Sequence, residues 1–137
     1  PAGEVTVCLI GNGPPEALPP IQRPLDPATH LSCHVVRPAP SSVECPLVLD
    51  EALDAEARRI AVRMFEALGC RDVARVDLRA DAQGTLQFLE INPLPSFDPE
   101  GSLGLIAEHL GTTYTALIGR ILDAARQRLD ASAARRP

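Results

Sequence analysis

DVARVDLRADAQGTLQFLEINPLP, residues Asp72–Pro95, decides the fold, because it holds two strand-like runs around a turn signal. Asp81-Ala82-Gln83-Gly84 separates VARVDLRA from TLQFLEIN, which predicts a β-hairpin. Side chains alternate along a strand, so Arg75, Asp77 and Arg79 share one face. On the partner strand Phe88, Glu90 and Asn92 do the same. A symmetric loop centred on Ala82-Gln83 puts Arg75 opposite Glu90, and Asp77 opposite Phe88 and diagonal to Glu90. Opposed Cβ atoms lie about 4.5–5.5 Å apart and diagonal ones about 7–8 Å. Asp77, Glu90 and the amide oxygen of Asn92 can then gather on one or two cations roughly 4 Å apart. Hard oxygen donors with no His or Cys among them suit Mg²⁺ or Mn²⁺ rather than zinc. The plainer alternative is a solvated cross-strand ion network of Arg75, Asp77 and Glu90. Directly after Asn92, Pro93-Leu94-Pro95-Ser96 stops the strand and turns the chain away, as the mouth of a site would.

Working outward, the predicted order is β, loop, α, β-hairpin, loop, α. Glu4–Ile10 reads as a mostly apolar strand. Residues 13–46 carry nine of the fourteen prolines and resist regular structure beyond short strands near 20–24 and 33–37. Asp50 can cap a helix running to about Leu68, with Gly69 just beyond its end. Its expected apolar stripe is Leu53, Ala57, Ile60, Met64 and Leu68. Glu51, Asp54 and Glu56 near its start, and Arg58, Arg59 and Arg63 later, complement the helix dipole as a solvated face. A shorter helix, Leu103–Leu110, ends at Gly111. The last helix starts near Thr112 or Thr113 and presents Tyr114, Leu117, Ile118, Ile121, Leu122, Ala125 and Leu129 for packing against the sheet. Residues 131–137 are expected to fray.

Composition narrows the function classes. With 137 residues the chain is one small domain. A net charge of −5 argues against non-specific nucleic-acid binding. No apolar run approaches the roughly 18 residues a membrane span needs, and no signal peptide appears, so a cytoplasmic location is expected. The four cysteines, Cys8, Cys33, Cys45 and Cys70, show no C-x-x-C pairing and read as reduced thiols. His30, Cys33 and His34 lack a fourth ligand spaced to complete a zinc site. All 13 basic residues are arginine; there is no lysine. Coding bias alone could produce that.

ARVDLRADAQGTLQFLEINPLPSFDP resembles the ATP-grasp ligases, most closely the D-alanine–D-alanine ligases and related amino-acid ligases. The family's pattern is an R-[VI]-D strand, a hairpin turn, an L-E-x-N strand and a P-G-containing loop. EVTVCLIGN resembles the family's strand after G-x-E, although Ala2 stands where that glycine would be. Glu44-Cys45-Pro46, Leu68-Gly69-Cys70 and Gly111–Ala125 resemble its C-P segment, its L-G-C turn and its closing helix. The likeness covers most of residues 2–129 and is poorest between about 13 and 43. It implies an α+β fold, the ATP-grasp C-terminal subdomain, with a mostly antiparallel sheet packed against helices.

The same resemblance implies roles for particular residues. Asp77, Glu90 and Asn92 match the magnesium ligands, with two ions and ATP as the cofactors. Arg75 matches the arginine that steadies the acyl phosphate and the tetrahedral intermediate. Ser102 resembles the serine that holds the carboxylate of the acceptor amino acid, with one extra residue before it. Leu89 is set facing the adenine. Ser96 replaces a glycine whose backbone N–H helps bind the oxyanion, a donor that a serine retains. The family's mobile lid is rich in tyrosine and lysine; here DPATHLSCHVVRPAPSS has neither, which leaves His30, His34 and Arg37. The phosphate-gripping lysines belong to the half of the domain that precedes this segment. Residues 1–130 are therefore expected to be the C-terminal portion of an amino-acid ligase that needs the rest of its chain or a partner subunit, with a homodimer allowed. Such a portion alone should bind ATP weakly or not at all. Two other readings stay open: a degenerate module that binds metal or nucleotide without catalysis, and a plain α/β structural module.

Overall fold

The computed structural model describes residues 4–23 and 50–134. The elements are β1 (Glu4–Gly11), β2 (Glu16–Ala17), β3 (Ile21–Arg23), α1 (Glu51–Ala67), β4 (Asp72–Ala80), β5 (Leu86–Asn92), α2 (Ser102–His109) and α3 (Tyr114–Ala133). The expected strand at 33–37, the lid candidates and the zinc candidates lie outside the described residues, as do Cys33, Cys45 and the segment Glu44–Pro46.

All the pairings are antiparallel. The order runs β2-β1-β4-β5, with β3 also on β1. Because β1 pairs with β4 from Glu4↔Arg79 to Gly11↔Asp72, alternate residues of both strands fall on common faces. Val5, Val7 and Leu9 join Ala74, Val76 and Leu78 under α1, which buries Ala57, Ala61 and Phe65 there. On the opposite face Cys8, Ile10 and Val73 pack with Leu103 and Ile106 of α2 and Leu117 and Ile121 of α3. Among the described residues the second layer covers part of that face. Thr6, Arg75, Asp77 and Arg79 occupy the remainder.

Helix α1 begins where expected, with the Asp50 carboxylate accepting the Leu53 N–H, and ends before Gly69 at φ 64°. Its buried row is rotated from the predicted stripe: Ala57, Ala61 and Phe65 are inside, whereas Leu68 is 57% exposed. Two alanines let the helix backbone lie close to the sheet, and Phe65 fills the space at the far end. Arg59 pairs with Glu56 in solvent, but Arg58 both pairs with Asp54 and donates to the Ala17 carbonyl, so it ties α1 to β2. Helix α3 is capped by Thr113 and runs through Ala133, so the start of the expected frayed tail is helical. Leu122 and Leu129, predicted to pack, are exposed at 65% and 58%. The predicted Leu117 and Ile121 are buried, with Tyr114 and Ile118 packed beside them, and Ala124 joins them.

A polar clamp that the sequence reading did not anticipate closes one end of the sheet. Asp72 begins β4 at φ 64°, a left-handed conformation that costs a non-glycine residue energy. Its N–H donates to Asn12 Oδ1 at 3.0 Å, and Asn12 Nδ2 donates back to Asp72 Oδ1 at 2.7 Å. Arg128 of α3 grips the same carboxylate through Nε and Nη2 at 2.9 and 2.7 Å. The Arg128 guanidinium, then the Asn12 amide, hold the Asp72 carboxyl below the ordinary aspartate range. A lowered pKa means the contribution is complete above the unfolded value and is lost as pH falls through the folded one. Replacing Arg128 with alanine should therefore lower the melting temperature at neutral pH. The gap from the parent should close as pH drops below about 4, as thermal denaturation across a pH series would reveal.

Candidate functional site

The hairpin register sets the site, and it differs from the symmetric prediction. Asp81 N–H donates to the Thr85 carbonyl and Gly84 N–H to the Asp81 carbonyl, with Gly84 at φ 84°. The Asp81 side chain also accepts from the N–H groups of Gln83 and Thr85, and these bonds, Thr85 foremost, lower its pKa. The loop is thus three residues, Ala82-Gln83-Gly84, rather than two. Ala80 pairs with Leu86 and Leu78 with Phe88, so Phe88 shares the face of Leu78, not that of Asp77 as expected. Between Asp77 and Leu78 the register shifts, and Leu89 is left unpaired as a bulge. Beyond it Asp77 faces Glu90, Val76 faces Ile91 and Arg75 faces Asn92.

The expected convergence therefore occurs through different pairs. Asp77 and Glu90 are directly opposed rather than diagonal, and Asn92, not Glu90, stands opposite Arg75. Adding β1 gives two parallel rows across three strands, Thr6–Asp77–Glu90 and Cys8–Arg75–Asn92. Arg75 Nε and Nη2 donate to Asp77 Oδ2 at 3.0 and 2.7 Å, and Nη2 lies 3.9 Å from Glu90 Oε1. Asp77 Oδ1 accepts from the Thr6 hydroxyl at 2.7 Å. Glu90 is 66% exposed, so its carboxylate can reorient at little cost. Asn92 Oδ1 accepts the Leu94 N–H at 3.0 Å, which bends the chain out of the strand and leaves that oxygen a second lone pair.

The loop after β5 carries the remaining candidates. Ser96 Oγ accepts the Asp98 N–H, Asp98 Oδ1 accepts the Glu100 N–H, and Tyr114 of α3 donates to the Phe97 carbonyl at 2.5 Å. These bonds fold the loop over the start of α2, where Ser102 is buried. Arg75, Ser96 and Ser102 line a common pocket of about 170 Å³ with Cys8, Asp98 and Leu103. Leu89, 48% exposed at the bulge, is outside that lining. Three residues at the site were not among the sequence's site candidates. Thr6 carried a signal, as a lone hydroxyl in an apolar strand; Cys8 and Asp98 carried none, because only the fold brings them to Arg75.

Among the described residues no group of three or more His, Cys, Asp or Glu is placed to hold a metal. The donor set beside Arg75 is two carboxylates and an amide oxygen, the sparse hard-oxygen kind that suits Mg²⁺ when phosphates complete its shell. Among the same residues no helix is long and apolar enough to cross a membrane.

The family described as D-ala D-ala ligase C-terminus matches residues 1–123. The chain belongs to that family. It is 34% identical over 121 residues to a D-alanine--D-alanine ligase of Oleidesulfovibrio alaskensis, covering 88% of this chain and 38% of the relative. It is 40% identical over 78 residues to that of Dichelobacter nodosus, covering 57% and 25%. An uncharacterized Sinorhizobium fredii protein, y4sG, is 35% identical over 129 residues, covering 91% and 38%. The D-alanine-D-alanine ligase of Coxiella burnetii superposes with a TM-score of 0.73 at 22% identity, covering 97% of this chain and 34% of that one. The Bacillus anthracis ligase complexed with ATP gives 0.69 at 22% identity, covering 91% and 37%. These superpositions establish the fold, the ATP-grasp C-terminal subdomain with its antiparallel sheet and three helices. The chain spans less than two fifths of the length of each of these relatives.

The family loop rests on one glycine of α2. A Cβ at Gly104 would sit 1.6 Å from the Pro99 carbonyl oxygen, whereas one at Gly119 in α3 would meet nothing within 4 Å. Gly104→Ala should destabilise by about 1–3 kcal/mol or more, while Gly119→Ala should stabilise by about 0.5–1 kcal/mol. Urea denaturation of the two variants beside the parent decides it.

Proposed function

We propose that residues 1–130 are the C-terminal portion of an ATP-dependent carboxylate–amine ligase that joins amino acids. The observation that carries this reading is the direct opposition of Asp77 and Glu90, flanked by Arg75 and Asn92 and opening toward the pocket of Ser96 and Ser102. Family membership supports the substrate class, and D-alanine is its default. A cytoplasmic location goes with the same proposal.

The reaction has two steps. A substrate carboxylate attacks the γ-phosphate of ATP, releasing ADP and giving an acyl phosphate. An amine then attacks the acyl carbon, loses a proton and expels phosphate, leaving an amide. The demand is charge neutralisation of an in-line transfer, with positioning supplying most of the rest. Asp77, Glu90 and Asn92 would hold two Mg²⁺ ions, whose chemistry is to neutralise the phosphate oxygens. Arg75 sits within reach of both carboxylates and of the pocket, so its guanidinium can stabilise the transferring group. Ser102 offers a hydroxyl, and the Ser96 backbone an N–H, for the acceptor carboxylate and the oxyanion. Leu89, exposed on the bulge, offers an apolar surface to the adenine. The remainder of the site, including the lysines this chain lacks, comes from the rest of the ligase or a partner subunit.

A second reading, a module that binds nucleotide without catalysis, draws on the absence of lysine and the serine at 96. Calorimetric titration with Mg²⁺–ATP should show little binding to the 137-residue chain and clear binding to a longer polypeptide carrying the upstream half. Asp77→Asn or Glu90→Gln in the longer polypeptide should weaken that binding at least about tenfold. Absence of binding in both polypeptides would falsify the ligase reading. Binding without amide formation would favour the second one.

A further inference from the structure

We propose that Thr6 is a positioning residue, which fixes the Asp77 carboxylate for cation binding while leaving its charge unspent. The inference rests on the reading of Asp77 as a metal ligand. Thr6 lies directly across the β1–β4 ladder from Asp77, is 3% exposed, and donates its hydroxyl to Oδ1 at 2.7 Å. A buried hydroxyl in an otherwise apolar strand is costly unless it is bonded. Here its bond goes to a charged group 71 residues away in sequence.

The division of labour at Asp77 gives that bond its purpose. Arg75 holds Oδ2 with two N–H groups, and Thr6 holds Oδ1. A guanidinium neutralises the carboxylate that a cation needs, and the proposed reaction asks Arg75 to turn to the transferring phosphoryl group. A neutral hydroxyl does neither. When Arg75 leaves, Thr6 keeps Asp77 in the same rotamer opposite Glu90, with the full negative charge available. Outer-shell donors of this kind typically change metal affinity about 10- to 100-fold when removed.

The probe is Mn²⁺ added to the 15N-labelled 137-residue chain, followed by selective broadening of the amide signals of Asp77, Glu90 and Asn92. Thr6→Val keeps the shape and removes the hydroxyl; Thr6→Ser restores it; Thr6→Ala repeats the loss in a side chain with no β-branch. The expected result is Mn²⁺ affinity at least about tenfold weaker in Thr6→Val and Thr6→Ala. Thr6→Ser should stay within about twofold of the parent, and the melting temperatures of valine and serine variants should be alike. Parent-like affinity in Thr6→Val, with binding lost in Asp77→Asn, would overturn the positioning role and leave the metal site standing. No selective broadening in the parent, nor in the longer polypeptide with ATP present to supply the phosphates, would remove the metal reading and the positioning role together.

Discussion

The unpaired Leu89 governs the site. The three-residue loop alone would carry Asp77 to Leu89 and Val76 to Glu90, turning Glu90 and Asn92 toward the face that α1 covers. A one-residue slip exchanges the two faces of a strand. The bulge restores the alternation, so Ile91 joins the core beneath α1 while Glu90 and Asn92 emerge beside Asp77 and Arg75. Burial of Ile91 and exposure of the carboxylate are favoured together, and both follow from that single extra residue.

The sheet can carry such a polar patch because its faces are unequally covered. One face is closed by α1 through small and apolar residues. Among the described residues the other is closed where Cys8, Ile10 and Val73 meet α2 and α3. Two ion pairs of α3, Arg128 with Asp72 and Arg120 with Glu16, lie at positions where β-strands begin. The loop between β5 and α2 is then trapped between Asn92, the Gly104 approach and the Tyr114 hydroxyl. That confinement is what gives the Arg75 pocket a wall.

Much of this was legible beforehand, for local reasons. Asp50, Thr113 and Gly69 mark helix ends because capping is decided within a few residues. The face shared by Arg75, Asp77, Glu90 and Asn92 was read correctly through a register that was wrong by two residues at Glu90. A two-residue loop without a bulge and a three-residue loop with one expose the same side of β5, so the error cancelled for Glu90 and Asn92 but not for Phe88. The helix stripes were less legible. Leu68, Leu122 and Leu129 fit the periodicity, yet which side of an amphipathic helix is buried depends on how closely alanines let it approach the sheet.

By itself, then, the sequence determined the family, the hairpin, the helix boundaries and the residue types available for cation and phosphate chemistry. These follow from alternation, capping and a motif contained within about two dozen residues. Only the tertiary structure decided that Thr6 would hold Asp77, that Arg128 would hold a left-handed Asp72, and that Ser96, Ser102 and Arg75 would share a pocket. Each of those contacts spans elements whose relative placement is set by the burial of both sheet faces, a non-local constraint that spacing along the chain cannot encode.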